Sequence, residues 1–97
     1  MLLSEIIWKE RFATKIEWKH GVVADEVEEV LLSRPLARRA QRGRVPGENL
    51  YVAYGQTLAG RRLVVFFVLK RPGVALPISA RDMSPGERKY YEQRGKG

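Results

Sequence analysis

The chain contains one histidine, His20, and eighteen lysines and arginines against eleven acids. An imidazole is the natural proton-transfer group near neutral pH. His20 also falls at the end of a predicted helix, where an imidazolium cap would face the negative end of the dipole. Arg81 follows a predicted strand and precedes a marked helix start. From there a planar guanidinium can meet a phosphate beside the positive helix end; the alternative is a salt bridge to Glu48 or Asp82. Arg88 and Tyr91 stand three apart on that helix, suited to binding an anion and to stacking or protonation, unless Tyr91 simply packs on the sheet. Lys15 and Lys19 share a helix face as phosphate clamps or as ordinary surface lysines. Glu48 is a candidate base, or a group that positions Arg81. Trp8 and Trp18 read as core or helix-packing residues rather than stacking platforms.

Other chemistries find little support. One histidine and no cysteine argue against a zinc site, and no cofactor is expected. No glycine-rich phosphate loop precedes a helix, and the serines lack a histidine triad arrangement. The charge is segregated: residues 1–32 carry four basic and seven acidic side chains, net −3, and residues 33–97 carry fourteen and four, net +10. Such a field suits a polyanionic partner, nucleic acid or an acidic protein, although an arginine-rich surface also serves solubility. No signal peptide is evident, and the apolar run Leu63 to Leu69 is too short to span a bilayer. A soluble, cytoplasmic protein with no membrane partner is expected.

These side chains must be positioned by a single domain, residues 1–97. Residues 3–8 read as a first strand and Glu10 to Lys19 as a helix closed by Gly21. A second helix runs from about Asp25 to Ser33, with Val23, Val27, Val30 and Leu31 as its buried stripe and its acids as a solvated face. Pro35 ends it. Leu36 to Arg44 reads as a strand or an extended arm leading into a loop. Leu50 to Thr57, Leu63 to Leu69 and Val74 to Ser79 read as strands joined by tight turns. Pro77 implies an edge, a bulge or an unpaired side in the last of them. Ser84-Pro85-Gly86-Glu87 is a capping box with proline at the first helical position, and that helix should fray at Gly95-Lys96-Gly97. The sum is an α+β domain of order β-α-α-β-β-β-α, an antiparallel sheet of about four strands with helices packed on it.

Trp8, Lys19-His20-Gly21-Val22 and Glu26-Val27-Glu28-Glu29-Val30 resemble the opening of the BrnT toxin family. Gly47-Glu48, Tyr51-Val52-Ala53-Tyr54-Gly55, Leu63-Val64-Val65-Phe66, Ile78-Ser79-Ala80-Arg81, Glu87-Arg88 and Tyr91-Glu92 resemble its remainder. The resemblance spans about residues 6–92. It implies a RelE-like fold and a ribonuclease toxin of a type II toxin–antitoxin system that inhibits translation by cleaving RNA without a metal. It also implies a small DNA-binding antitoxin, BrnA-like, as partner, in a homodimer or a toxin–antitoxin hetero-oligomer. On this reading His20, Arg81, Arg88 and Glu48 are catalytic, and Lys15, Lys19, Arg62 and Tyr91 bind RNA. The chain departs from the family pattern at Lys9, Phe12, Ile16 and Leu50, where polar or charged residues are usual. These departures motivate a second reading, a catalytically silent module that binds a partner protein or RNA. A transcription factor is rejected, because the acidic face of the second helix would repel phosphate.

Overall fold

A computed structural model describes residues 1–94; the fraying expected at residues 95–97 lies outside them. The elements run β1 (Glu5–Ile6), α1 (Glu10–His20), α2 (Ala24–Leu32), β2 (Leu36–Gln41), β3 (Asn49–Gln56), β4 (Arg62–Arg71), β5 (Val74–Asp82) and α3 (Pro85–Arg94). The sheet has five strands in the order β1-β5-β4-β3-β2, not about four, and it is not wholly antiparallel. After β1 the helical pair carries the chain across to the far edge. Three reversals through β2, β3, β4 and β5 then bring β5 beside β1 in the same direction, with Glu5 opposite Val74 and Ile6 opposite Ala75.

The additional strand is β2, the segment for which strand and arm both stood open. Its residues Arg38 to Gln41 are exposed, since an edge strand needs hydrogen bonds on one side only. Charges along that free edge discourage pairing with another chain.

The sheet separates two clusters. On one face α1, α2 and the link between them contribute Ile16, Val22, Val27, Val30 and Leu31 against Ala53, Leu63, Val65, Phe67 and Ala80. On the other, Val52, Tyr54, Val64 and Met83 pack with Leu36, Phe66, Tyr90 and Tyr91, so α3 covers only part of that face. Val23 is not in the α2 stripe. It is the residue before the helix and is 41% exposed, whereas Val22 is fully buried.

Turn chemistry behaves as expected at Gly21, which closes α1 with φ 62° while its N–H bonds the Glu17 carbonyl. Pro77 sits at a bulge. Phe67 pairs with Pro77 and Phe66 with Ser79, leaving Ile78 as the extra residue. The Ser84 hydroxyl accepts the Glu87 N–H at 3.2 Å, and the Glu87 carboxylate accepts the Ser84 N–H at 2.8 Å. Both halves of the capping box therefore form.

Candidate RNA-binding cleft and sheet face

Three of the four acids of α2 are structural partners rather than a merely solvated face, while Asp25 is exposed. Glu28 accepts the Trp8 indole N–H at 2.7 Å, Glu29 accepts the Leu58 N–H at 2.9 Å, and Glu26 accepts the Val23 N–H at 3.1 Å. Glu26 also meets Arg61, which the sequence reading did not single out. The Arg61 guanidinium bonds both Asp82 carboxylate oxygens at 2.8 and 3.0 Å. It reaches Glu26 at 3.1 Å, the Gly21 carbonyl at 2.9 Å and the His20 carbonyl at 3.3 Å. One side chain from the β3–β4 turn thus ties the end of α1, the start of α2 and the end of β5 together. The Asp82 bond raises the Arg61 pKa further, and the same guanidinium lowers that of Asp82.

His20 stands at the exposed end of α1, with its backbone fixed from below by Arg61. α1 lies along β5 beyond the short pairing with β1, where β5 has no further strand partner on that side among the described residues. Between them is a cleft of about 140 Å³ lined by Lys15, Ile16, Lys19, His20, Ile78 and Ser79. The bulge at Ile78 brings the β5 backbone out at this point. The structure thus assembles Lys15, Lys19 and His20 in one place, against the β5 edge at Ile78 and Ser79. A pocket of this size admits a phosphate group and its immediate ester oxygens, and its two ammonium groups give that anion charge partners.

Arg81 belongs to the adjacent sheet face. It pairs across the ladder with Val64, and its guanidinium carbon lies 5.8 Å from the centre of the Phe66 ring. Its partner is neither Glu48 nor an Asp82 side chain. Glu87, the capping-box glutamate, accepts Nη1 at 2.7 Å and Nη2 at 2.8 Å, while Nη1 also donates to the Asp82 carbonyl at 3.2 Å. The carboxylate thus holds the end-on fork. The side-on pair, Nε–H and the second Nη2 hydrogen, has no protein acceptor among the described residues. With the side chain 37% exposed, that pair is open to a phosphate.

The Arg81 bond holds the Glu87 carboxyl down at about 2, against an ordinary 4.5. Its stabilisation is therefore present above about pH 4.5 and lost as the pH falls toward 2. Acid titration followed by circular dichroism should show this loss, and Glu87→Gln should be less stable at neutral pH with a flatter acid limb. An unchanged acid limb in the variant would contradict the pairing.

The remaining candidates are not gathered at one point. Arg62 pairs with Glu92 at 3.2 Å, and its buried Nε lacks a partner among the described residues. Arg88 is exposed and lines a second cleft of about 340 Å³ with Gly60, Arg61, Arg62, Asp82 and Met83. Tyr91 is half-buried against the cluster under α3, so it does not stand beside Arg88 in the open. Glu48 lies in the β2–β3 loop at the far end of the sheet. β3 meets the Arg81 level at Tyr54, through Val64, and Glu48 is six positions away, about 20 Å at strand spacing. The structure does not bring Glu48 to Arg81. Arg38, by contrast, shares the Arg81 face, opposite Val52. It approaches the Tyr54 hydroxyl at 3.5 Å, a contact that raises its pKa.

No protein-family model matches the chain, and no curated protein matches its sequence. Among solved structures it is similar to the ribonuclease toxin BrnT of Brucella abortus, with a TM-score of 0.58 and 24% identity over 82% of this chain and 96% of that one. The chain has the fold of that toxin.

Proposed function

We propose that the chain is a metal-independent ribonuclease of the toxin class, acting on RNA laid along the edge of β5 and the adjoining sheet face. The observation that carries this reading is the convergence of Lys15, Lys19 and His20 on one phosphate-sized cleft. In such a reaction a base takes the 2′-hydroxyl proton, and the 2′-oxygen attacks phosphorus. The 5′-oxygen leaves with a proton, closing a 2′,3′-cyclic phosphate. His20 carries the proton transfer. Lys15 and Lys19 balance the charge of the pentavalent phosphorus, and the open fork of Arg81 holds a neighbouring phosphate. Arg61 is a positioning residue that fixes the end of α1 beneath His20. Arg62 and Arg88 extend the basic surface on the other side of Asp82. A toxin of this kind acts on RNA in the cytoplasm and is held in check by an antitoxin that covers its basic surface.

Induced expression in a bacterial host tests the reading. Wild type should arrest growth with breakdown of total RNA, and Arg81→Ala should relieve both. Pairing that change with Glu87→Gln removes the unpaired carboxylate as a separate cause of loss. Normal growth with intact RNA for the wild type would overturn the toxin reading.

A second reading, a binding module without catalysis, is favoured by one observation. No side chain among the described residues hydrogen-bonds the His20 ring, so nothing fixes its tautomer in the way catalytic imidazoles are usually held. On that reading the purified chain retains RNA in a salt-dependent manner and leaves it uncut.

A further inference from the structure

By sequence Trp18 reads as a core or helix-packing residue, but the structure leaves it 82% exposed. Among the described residues it is the one exposed aromatic side chain; every other Phe, Tyr and Trp is buried or half-buried. It lies on the outer face of α1 in a shallow depression shared with Glu10, Arg11, Thr14 and Lys15. An uncovered indole of this size is a large apolar surface with no covering partner among the described residues.

Its neighbours say what would cover it. At 100° per residue, Trp18, Arg11, Lys15 and Lys19 follow one another around the helix within an arc of about 100°. Glu10 and Glu17 fall on the other side of Trp18, away from that arc. Lys15 belongs both to the Trp18 depression and to the cleft with Lys19 and His20. A line of cations therefore runs from the exposed indole into the cleft, with no acid between them. Arg11 is steadied on the Phe12 ring, 4.8 Å from its centre.

The geometry points to a stacking subsite: Trp18 receives an unpaired nucleobase of a single-stranded RNA whose backbone follows Arg11 and Lys15 into the cleft. The subsite rests on the RNA-cleaving reading for its position and extends it in substrate class, since a base in a duplex offers no free face to an indole. Aromatic platforms beside cationic tracks bind single strands without strict sequence preference. The strand enters over the outer face of α1, and the phosphate to be cut lies beyond Lys15.

The test uses a 2′-O-methyl single strand of about ten nucleotides, which cannot be cleaved through its 2′-oxygen. Titration into the wild-type protein should quench indole fluorescence. Trp8 is half-buried with its N–H held by Glu28, so Trp18→Ala should abolish most of the quench. The same variant should weaken binding by about 5- to 100-fold, with Trp18→Phe recovering much of it. Arg11→Ala should reduce the salt dependence of binding by about one phosphate contact. Equal affinity for wild type and Trp18→Ala would overturn the subsite even if the protein cleaves RNA. Trp18-dependent binding by a protein that cuts no RNA would support the subsite and reject the ribonuclease reading. Unchanged RNA affinity with altered sedimentation of Trp18→Ala would overturn it in favour of a protein contact. No binding by the wild type would overturn both.

Discussion

His20→Ala is expected to slow RNA cleavage by about 10²- to 10⁴-fold, the usual range for loss of a positioned general acid or base. The chain has no second imidazole to substitute for it. The loss should appear in kcat, measured by single-turnover cleavage, rather than in KM. In the proposed mechanism Lys15, Lys19 and the arginines bind RNA, and the variant leaves them in place. Stability should change little, by about 0.5 kcal/mol or less, because the ring is on the surface. Arg61 holds the backbone carbonyls of His20 and Gly21, so the end of α1 keeps its position when the ring is removed. Arg61→Ala should therefore also impair cleavage, but with a fall in melting temperature that His20→Ala does not show. Cleavage at the wild-type rate by a folded His20→Ala protein would remove the histidine from the mechanism.

The largest effect on stability is expected at Phe67. The side chain is 0% exposed, sits in the cluster beneath α1 and α2, and stacks on Tyr51 with ring centres 5.6 Å apart. Truncation to alanine leaves a cavity that the surrounding β-branched residues fill poorly, at a cost of about 3–5 kcal/mol. Small domains have only about 5–15 kcal/mol in total, and a chain of 97 residues stands low in that range. Urea denaturation should show a large fall in midpoint. Phe66→Ala, one residue away on the half-buried face, should cost less. A loss at Phe67 of under about 1 kcal/mol would mean that this side chain is not the centre of the core.

Much of this architecture is legible in the sequence because local chemistry and burial agree there. The capping box at Ser84 and Glu87, the glycine closing α1 and the apolar run of β4 each carry a signal within a few residues. What is missed depends on partners distant in sequence. β2 has the composition of an arm, since an edge strand can be charged, and its pairing with β3 is visible only in three dimensions. The parallel pairing of β1 follows from the number of chain reversals, which no single segment encodes. Arg61 looks like a turn arginine because Glu26 and Asp82 lie 35 and 21 residues away. For Arg81, Glu48 and Asp82 stood as partners, yet Glu87 is nearer in space because the helix starts at once after the strand. Trp18 is the exception: by type it reads as a packing residue, yet its angle of about 160° from the buried Ile16 already turns it outward.

The site was legible in part. Residue type and helical spacing select Lys15, Lys19 and His20 as candidates, and in the structure all three line one cleft, beside the β5 bulge at Ile78. Glu48 was grouped with Arg81 by chemistry alone, and strand register puts them at different ends of the sheet.

The most direct test is incubation of purified wild-type protein with single-stranded RNA in excess chelator, with the ends of the products identified. Cleavage should persist in chelator and leave 2′,3′-cyclic phosphate termini, the product of attack by the neighbouring hydroxyl. RNA that stays intact, or cleavage abolished by the chelator, would contradict metal-independent cleavage.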